Sequence, residues 1–266
     1  MSAPSADRPP TAEHSSVAPR RIGIVTGLVR EAEALAPALR ALAPADRPSI
    51  FCSGGDVARA AFGIDQMLGE GVVALMSFGM AGALDPALNP GDLLVAERVI
   101  APDGRIYAAD AAWSALLVAP PDETPGCPAC RLALLAGVDR PVVSAAGKRE
   151  LRERTGAAAV DMESHVVAEA AARRGVPFIA LRAIADPAGR AIPPAALAGL
   201  APDGRTRPLA VLARLALRPW QIPELMRLAA DSAAALKALR GVASSDARRL
   251  LRLPGVDLAH ELFDVP

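Results

Sequence analysis

The stretch that decides the fold is AVDMESHVVAEAAARRGVPFIALRAIADPAG, which runs from Ala159 to Gly189. Its first half carries apolar residues at helical spacing, and Gly175 followed by Pro177 predicts where that helix ends. The apolar and β-branched run that begins at Pro177, interrupted by Arg182, is typical of a buried strand. The stretch therefore predicts a helix and then a strand that ends in a polar turn.

Two carboxyl groups fall at the ends of these elements. Glu163 comes where the helix begins, and Asp186 comes where the strand ends. Ligands of open α/β sheets bind at the carboxyl edge, so we expect both acids at one rim of the sheet. The pattern leaves a structural alternative open, in which Glu163 complements the helix dipole and Asp186 caps a turn.

The composition excludes several classes of protein. The 266 residues include 29 Lys+Arg and 29 Asp+Glu, so the net charge gives no reason to expect a nucleic-acid partner. No apolar run is long enough to span a bilayer, and we expect no signal peptide. Three cysteines are too few for a disulfide framework, which favours the cytoplasm. Cys127 and Cys130 have CxxC spacing but no second ligand pair, so we expect a loop feature and no metal site.

Strands and helices alternate along the chain. Arg21 to Gly27 is predicted as the first strand, and the next helix carries Glu31 in its first turn, where an acid either complements the helix dipole or reaches the sheet rim. The third strand is predicted to run into a glycine turn, SFGMAGA (residues 77–83), whose small residues let backbone approach a ligand. The alternation predicts an α/β fold, a three-layer sandwich around a central mixed, mostly parallel sheet.

One domain is expected, over residues 21–240. Residues 1–20 are rich in Ser, Pro and Ala and predict a disordered lead, and residues 241–266 predict a loosely ordered tail. Within the domain, residues 209–239 predict one or two helices that carry Leu, Met and Trp220 beside several arginines. That composition suits a helix at a membrane interface or an apolar channel, and equally ordinary packing against the sheet or a dimer partner.

Five blocks of the sequence stand in the same order as in purine nucleoside phosphorylases and adenosine-type nucleosidases. The blocks are GIVTGLVREAEA, SFGMAGALDPALNPGDLLVA, YAADAAW, AVDMESHVVA, and LRAIADPAGRAIPPAALAGLAPDG followed by RPWQIPELMRLAADS. Their details resemble the hopanoid-associated phosphorylase, a family that acts in bacterial hopanoid biosynthesis and removes adenine from adenosylhopane. The resemblance covers residues 21–240 and implies a nucleoside-phosphorylase-like fold and cleavage of the N-glycosidic bond of an adenosyl compound.

The resemblance implies a role for each acid. Asp186 would hydrogen-bond or protonate N7 of adenine, Glu163 would bind the ribose hydroxyls and stabilise the cationic sugar, and Glu31 would position an attacking water. Because Asp186 must hold a proton at that moment, burial should raise its pKa. Met162 would pack on the sugar face. The other implied substrate-binding residues are Gly27, Phe78, Gly79, Met80, Ala81 and Gly82.

The chain departs from the family pattern in three respects. Met80 stands about where hydrolytic relatives have a serine. A complete set of phosphate-binding arginines is not evident, and the nearest candidates are Arg30 and Arg59. No aromatic residue that would stack on adenine is evident near residues 144–148, and the remaining aromatic candidates are Phe78, Phe178 and Tyr107. Water and phosphate therefore both remain open as the nucleophile.

The expected partners follow from the same resemblance. We expect a small-molecule or lipid-linked nucleoside as substrate, no metal and no cofactor, with inorganic phosphate open as a co-substrate. Because adenosylhopane would sit in a membrane, peripheral contact at the inner membrane face is a hypothesis. A homo-oligomer is expected, and a dimer is favoured. The alternatives are a methylthioadenosine or adenosylhomocysteine nucleosidase, another purine nucleoside phosphorylase, or a non-catalytic nucleoside-binding protein.

Overall fold

A computed structural model describes residues 21–118, 129–199, 201, 203–245 and 247–253. The predicted disordered lead, Cys127 and residues 254–266 of the predicted tail lie outside these ranges. Cys130, the second cysteine of the CxxC pair, opens a strand and is buried.

The centre of the fold is a mixed sheet. In the described part of the chain it has eight strands, and five of the eight strand pairings are parallel. The strands run in the order β2-β1-β3-β7-β6-β4-β5, and β8 pairs with β3 and β4. Their bounds are β1 (Arg21–Thr26), β2 (Ser49–Cys52), β3 (Val72–Ala83), β4 (Leu93–Ile100), β5 (Ile106–Ala108), β6 (Cys130–Gly137), β7 (Ala159–Asp161) and β8 (Phe178–Asp186). This architecture confirms the predicted mixed, mostly parallel sheet.

The sheet also closes on itself around β3. This strand pairs with β1 along its first half and with β8 and then β7 further on. Strand β8 also pairs with β4, β4 pairs with β6, and β6 pairs with β7. Strands β3, β8, β4, β6 and β7 therefore form a closed ring. The predicted turn after Ser77 is wrong, because residues 78–83 continue β3 and pair with β8 and β7. Glycine is compatible with this pairing because the ladder uses only backbone groups.

Helices cover both faces of the sheet. Their bounds are α1 (Val29–Ala34), α2 (Ala36–Arg40), α3 (Val57–Gly69), α4 (Ala111–Val118), α5 (Ala145–Thr155), α6 (Ser164–Arg174), α7 (Pro194–Leu197), α8 (Pro208–Leu217), α9 (Ile222–Ser245) and α10 (Ala247–Leu251), with 3₁₀ turns at Pro44–Asp46 and Pro219–Gln221. As predicted, α6 ends at Gly175, which adopts the left-handed conformation with φ of 64°.

Two apolar cores fill the spaces between the layers. On one face, the sheet packs against α1, α2, α4, α9 and α10, and Trp113 is fully buried there. On the other face it packs against α3 and α6. Every residue of β8 is buried, because the strand pairs with a neighbour on each edge and has a helix layer on either face. The three predicted layers are therefore confirmed.

The prediction of a loosely ordered tail from residue 241 is wrong for residues 241–245 and 247–253. Helix α9 continues to Ser245, and Val242, Ala243 and Leu250 are buried in the first core. The indole Nε1 of Trp113 donates a hydrogen bond to the carbonyl oxygen of Leu250 at 3.2 Å. Apolar contact and this hydrogen bond hold the segment in place although its sequence periodicity is weak.

The amphipathic region at residues 209–239 divides into two parts. Its end packs as core, since Ala235, Leu236 and Leu239 are buried against the sheet. Its middle instead exposes apolar side chains, among which Leu217 is 75% exposed and Trp220 is 70% exposed. No helix in the described ranges is both long and apolar enough to cross a membrane.

Candidate active site

The first acid of the candidate site, Glu31, is held by backbone. The N–H groups of Gly27 and Leu28 each donate to its Oε2 at 2.8 Å, and the N–H of Met80 donates to Oε1 at 2.7 Å. Glu31 lies in α1, directly after β1, so its carboxyl group reaches the carboxyl end of β1 and the second half of β3. Burial raises the pKa of Glu31, and the Met80 N–H and the Arg182 guanidinium oppose that rise.

The second acid, Glu163, lies at the N-cap of α6 and is 7% exposed. Its Oε1 accepts a hydrogen bond from Ser53 Oγ at 3.4 Å, and its Oε2 is 3.8 Å from Arg182 Nη2. Burial raises the pKa of Glu163 to about 8, against the attraction of Arg182 and with added repulsion from Glu31 and Asp161. Burial and the neighbouring acids therefore favour the protonated form of this carboxyl group.

A buried ion pair between Arg182 and Asp161 lies beside Glu163. Arg182, which lies in β8 and is fully buried, donates from Nη2 to Asp161 Oδ1 at 2.9 Å and to Ser77 Oγ at 2.5 Å. The same Asp161 oxygen accepts the N–H groups of Glu163 and Ser164 and so caps α6. Burial acts to raise the pKa of Asp161, but the Arg182 charge and the hydrogen bonds from Arg182 and Ser164 together outweigh it, and the net shift is downward.

The third acid, Asp186, is the last residue of β8 and is also 7% exposed. Its Oδ2 is paired with the ammonium group of Lys148, which comes from α5. Burial raises the pKa of Asp186, and the Lys148 charge opposes the rise. The upward shift of this pKa was predicted from the sequence, whereas the pairing with Lys148 was not. The rarity of lysine could have indicated this residue, because Lys148 is one of only two lysines among 29 Lys+Arg.

Each acid faces a glycine across the site. A Cβ on Gly79 would lie 2.7 Å from Cδ of Glu31, and one on Gly27 would lie 2.6 Å from Oε1 of Glu163. A Cβ on Gly82 would lie 3.2 Å from both carboxylate oxygens of Asp186. The glycines predicted to bind substrate therefore make the space in which the carboxyl groups sit.

Two of the remaining predicted residues, both methionines, are half-buried, and two others lie in the apolar cores. Met162 is half-buried, and its methyl group would lie 3.7 Å from a Cβ on Gly55, at the turn after β2. Met80 contributes its backbone N–H to Glu31 and does not leave a free amide for ligand. Phe78 does not line the site: it is fully buried in the core beside α9, as is Ala81 in the core beside α6.

Tyr107 lies away from the acids, and neither candidate phosphate-binding arginine forms an ion pair with them in the described residues. Tyr107 lines a surface depression with Phe178, which is at the start of β8 and thus at the opposite end of that strand from Asp186. Arg59 donates from Nε to the carbonyl oxygen of Ser53 at 3.1 Å, and Arg30 is exposed. Among the residues that the structure describes, no cluster of acids, histidines and cysteines could hold a metal ion.

A backbone segment covers the site above β1. The carbonyl oxygen of Gly204 accepts a hydrogen bond from the N–H of Val29 at 3.1 Å. A Cβ on Gly204 would lie 2.9 Å from the carbonyl oxygen of Gly27. The segment that precedes α8 therefore lies directly on the loop that holds Glu31, and it encloses the acids further.

Fold and site together define a class of protein. Three enclosed carboxyl groups, each with a raised pKa, meet at the carboxyl edge of an α/β sheet, which is where acid–base chemistry on a bound ligand is performed in this architecture. The chain belongs to the phosphorylase superfamily, whose family model matches residues 41–215. The predicted enzyme that cleaves a glycosidic bond is confirmed at that level.

Solved structures show the same fold. The 5'-methylthioadenosine/S-adenosylhomocysteine nucleosidase of Neisseria meningitidis, in complex with methylthio-immucillin-A, is 18% identical over 85% of this chain and 100% of that chain, with a TM-score of 0.61. The corresponding nucleosidase and the futalosine hydrolase of Helicobacter pylori are each 20% identical over 84% of this chain and 97% of theirs, with TM-scores of 0.59. No curated protein matches the chain.

Proposed function

We propose that this enzyme hydrolyses the N-glycosidic bond of an adenosyl compound and releases adenine. The observation that carries the proposal is the convergence of Glu31, Glu163 and Asp186, each in a space made by a glycine, at one edge of the sheet. Solved neighbours that act as methylthioadenosine/adenosylhomocysteine nucleosidases support adenosyl substrates. A non-catalytic binding protein would not need three enclosed acids, whose desolvation is costly.

Each acid has a distinct place in the proposed reaction. Asp186 donates a proton to N7 of the departing adenine, which is a contribution of about 10²–10⁴-fold in rate for a general acid. Glu163 binds the ribose hydroxyls and stabilises the cationic sugar. Glu31 accepts three backbone N–H bonds, and an ionised carboxylate has about four acceptor positions, so one position remains for an attacking water.

The charges around the site favour water over phosphate as the nucleophile. Arg182, the buried cation beside Glu163, is already bound to Asp161 and Ser77. The guanidinium of Arg59 contacts backbone carbonyl groups. A phosphate beside Glu31 would meet a carboxyl group, while Arg182 and Arg59, two of the arginines in the described residues, already have partners, and like charges repel strongly at low dielectric. We therefore infer hydrolysis.

The leading substrate in this proposal is adenosylhopane. The sequence blocks that resemble the hopanoid-associated phosphorylase support it, and so does an exposed apolar strip between α8 and α9. The strip consists of Leu217, Trp220, Ile222 and Met226, which are 75%, 70%, 43% and 69% exposed. Exposed arginines flank it at positions 214, 218 and 227. Apolar side chains with basic neighbours suit the surface of an anionic bilayer, from which a lipid-linked nucleoside would be drawn.

The assay that tests the reaction measures adenine release with and without phosphate. The substrates are adenosylhopane, methylthioadenosine and adenosylhomocysteine. We expect release from adenosylhopane that does not depend on phosphate and yields free ribosylhopane. Asp186→Asn should lower kcat at least about 100-fold, from the loss of the general acid. Exposed Glu169, on α6, provides the matched control as Glu169→Gln.

Three outcomes would overturn parts of the proposal. Strictly phosphate-dependent turnover would replace hydrolysis with phosphorolysis. Preference for methylthioadenosine would move the substrate to small adenosyl thioethers. Unchanged adenine release by Asp186→Asn would refute the role of the acid.

The membrane contact has its own test. Flotation with vesicles that contain anionic lipid should recover the wild type in the lipid fraction, and Leu217→Ser with Trp220→Ser should not be recovered there. Sedimentation of both proteins without lipid shows whether the strip instead joins two copies of the chain. A dimer that the same substitutions dissociate, without lipid binding, would assign the strip to self-association.

A further inference from the structure

Lys148 is an unusual residue in this chain. Lysine occurs twice among 29 Lys+Arg, as Lys148 and Lys237. Lys237 is exposed on α9, whereas Lys148 is 1% exposed and lies at the start of α5. Lysine is almost never fully buried unless it is paired. Its burial beside the proposed general acid therefore calls for a function.

The surroundings of Lys148 occupy all of its hydrogen-bond donors. Its Nζ contacts three acceptors: Asp186 Oδ2, the carbonyl oxygen of Pro187 at 2.9 Å and the carbonyl oxygen of Arg190 at 3.1 Å. An ammonium group has three N–H donors and no lone pair, and thus matches three acceptors. All its donors are used within the protein, so Lys148 has none left for a substrate. Any effect on the reaction must pass through Asp186.

The pairing makes the two oxygens of Asp186 different. Oδ2 accepts from the ammonium group, which disfavours a proton on that oxygen. Oδ1 has no ammonium partner, and a Cβ on Gly82 would be 3.2 Å from both oxygens, so the lysine contact is what distinguishes them. This asymmetry favours Oδ1 as the oxygen that carries the acid proton of Asp186. A general acid must present its proton within hydrogen-bond reach of the atom that receives it.

The other charges near Asp186 balance each other. Asp231 on α9 and Arg190 in the loop after β8 both act on Asp186, and they form an ion pair with one another. The carbonyl group of the same Arg190 accepts from Lys148. Lys148 is therefore the unbalanced cation among the charged groups that act on Asp186 in the described residues.

We propose that Lys148 is a positioning residue for Asp186, which holds the acid proton on Oδ1 and stabilises the carboxylate that proton transfer leaves behind. As the bond between C1' and N9 breaks, its electron pair passes to the purine, and the proton on Oδ1 passes to N7. Asp186 becomes a carboxylate and forms a full ion pair with Lys148. This attraction is stronger after transfer than before it, so it lowers the barrier and not merely the energy of the bound substrate. The inference rests on the proposed adenine release.

The kinetic test uses Lys148→Met, which keeps the length of the side chain and removes its charge. We expect kcat to fall at least about 10-fold with a smaller change in KM. Loss of the cation should raise the pKa of Asp186, so the alkaline limb of the kcat/KM profile should move to higher pH. Asp186→Asn identifies that limb by abolishing it. Lys148→Arg should return the limb towards its wild-type position, and Lys237→Met is the matched control.

Two results would overturn the inference while leaving the proposed function intact. One is an alkaline limb that does not move in Lys148→Met, because a residue that only supports packing would lower activity without shifting it. The other is wild-type kcat in that variant. An inactive wild type would instead refute the proposed function, and with it the role of Lys148 in proton transfer.

A spectroscopic test covers the case in which Lys148→Met does not fold. Lysine labelled with ¹³C at Cε gives two signals in this chain, which Lys237→Met assigns. We expect Asp186→Asn to shift the Lys148 signal and to leave the Lys237 signal in place. An unshifted Lys148 signal would show that the two groups do not pair, and would refute the inference without any activity measurement.

Discussion

Replacing Glu163 by glutamine should change how the stability of the protein depends on pH. Glutamine has nearly the same shape as a protonated glutamate and does not titrate. Glu163 is 7% exposed, and burial raises its pKa from 4.5 to about 8, with Arg182 opposing the rise. The wild type and the variant should therefore differ in stability by an amount that varies with pH.

The magnitude follows from the two pKa values. Below pH 4.5 the carboxyl group is protonated in both the folded and the unfolded chain, and its contribution to stability is fully present. As the pH rises to about 8 the unfolded chain releases the proton and the folded chain keeps it, so stability is lost. One pH unit is worth about 1.4 kcal/mol, so a difference of about 3.5 units corresponds to about 5 kcal/mol. Above that range the loss is complete.

Urea unfolding at half-unit steps from pH 5 to 8.5 measures this effect. The free energy of unfolding of Glu163→Gln, minus that of the wild type, should rise by about 4 kcal/mol across the pH 5–8 window, since three units at about 1.4 kcal/mol are sampled. Glu169→Gln, on the exposed side of the same helix, is the control, because a surface ion pair contributes about 0–1 kcal/mol. Parallel curves for wild type and Glu163→Gln would refute the raised pKa and the proton assigned to this carboxyl group.

Three further predictions concern single contacts. Gly79→Ala would bring a Cβ within 2.7 Å of the Glu31 carboxyl carbon, so adenine release should fall about 100-fold, since small displacements in a site cost that much. Gly82→Ala, with 3.2 Å to Asp186, should lose less, and the reverse order in kcat would contradict the geometry. Arg182→Met should cost about 3–5 kcal/mol in urea unfolding, because Asp161 would keep a buried charge without a partner; a loss below about 1 kcal/mol would count against that ion pair. Trp113→Phe removes the hydrogen bond to Leu250, so it should lower the free energy of unfolding by about 1 kcal/mol and speed hydrogen exchange in α10. Unchanged exchange would show that apolar packing alone holds α10.

Local patterns predicted much of the fold because they report on one element at a time. The run from Pro177 became β8 because apolar and β-branched residues favour a strand buried on both faces. Gly175 ends α6 because glycine adopts positive φ at little steric cost. The same kind of pattern was misleading at residues 78–83, where small residues suggested a turn. Pairing with β8 and β7 makes this segment a strand, and no local signal reports on that pairing.

The sequence alone predicted that Glu31, Glu163 and Asp186 meet at one edge of the sheet, because each stands near the end of an element that leads to that edge. It also indicated the superfamily, through sequence blocks that stand in the same order as in its members. Only the tertiary structure decided what surrounds those acids: a glycine against each one, Arg182 below Glu163, and Lys148 against Asp186. Lys148 and Asp186 are 38 residues apart and lie on different elements. Such contacts depend on how helices and strands pack in three dimensions, and the protonation of a buried group depends on those contacts.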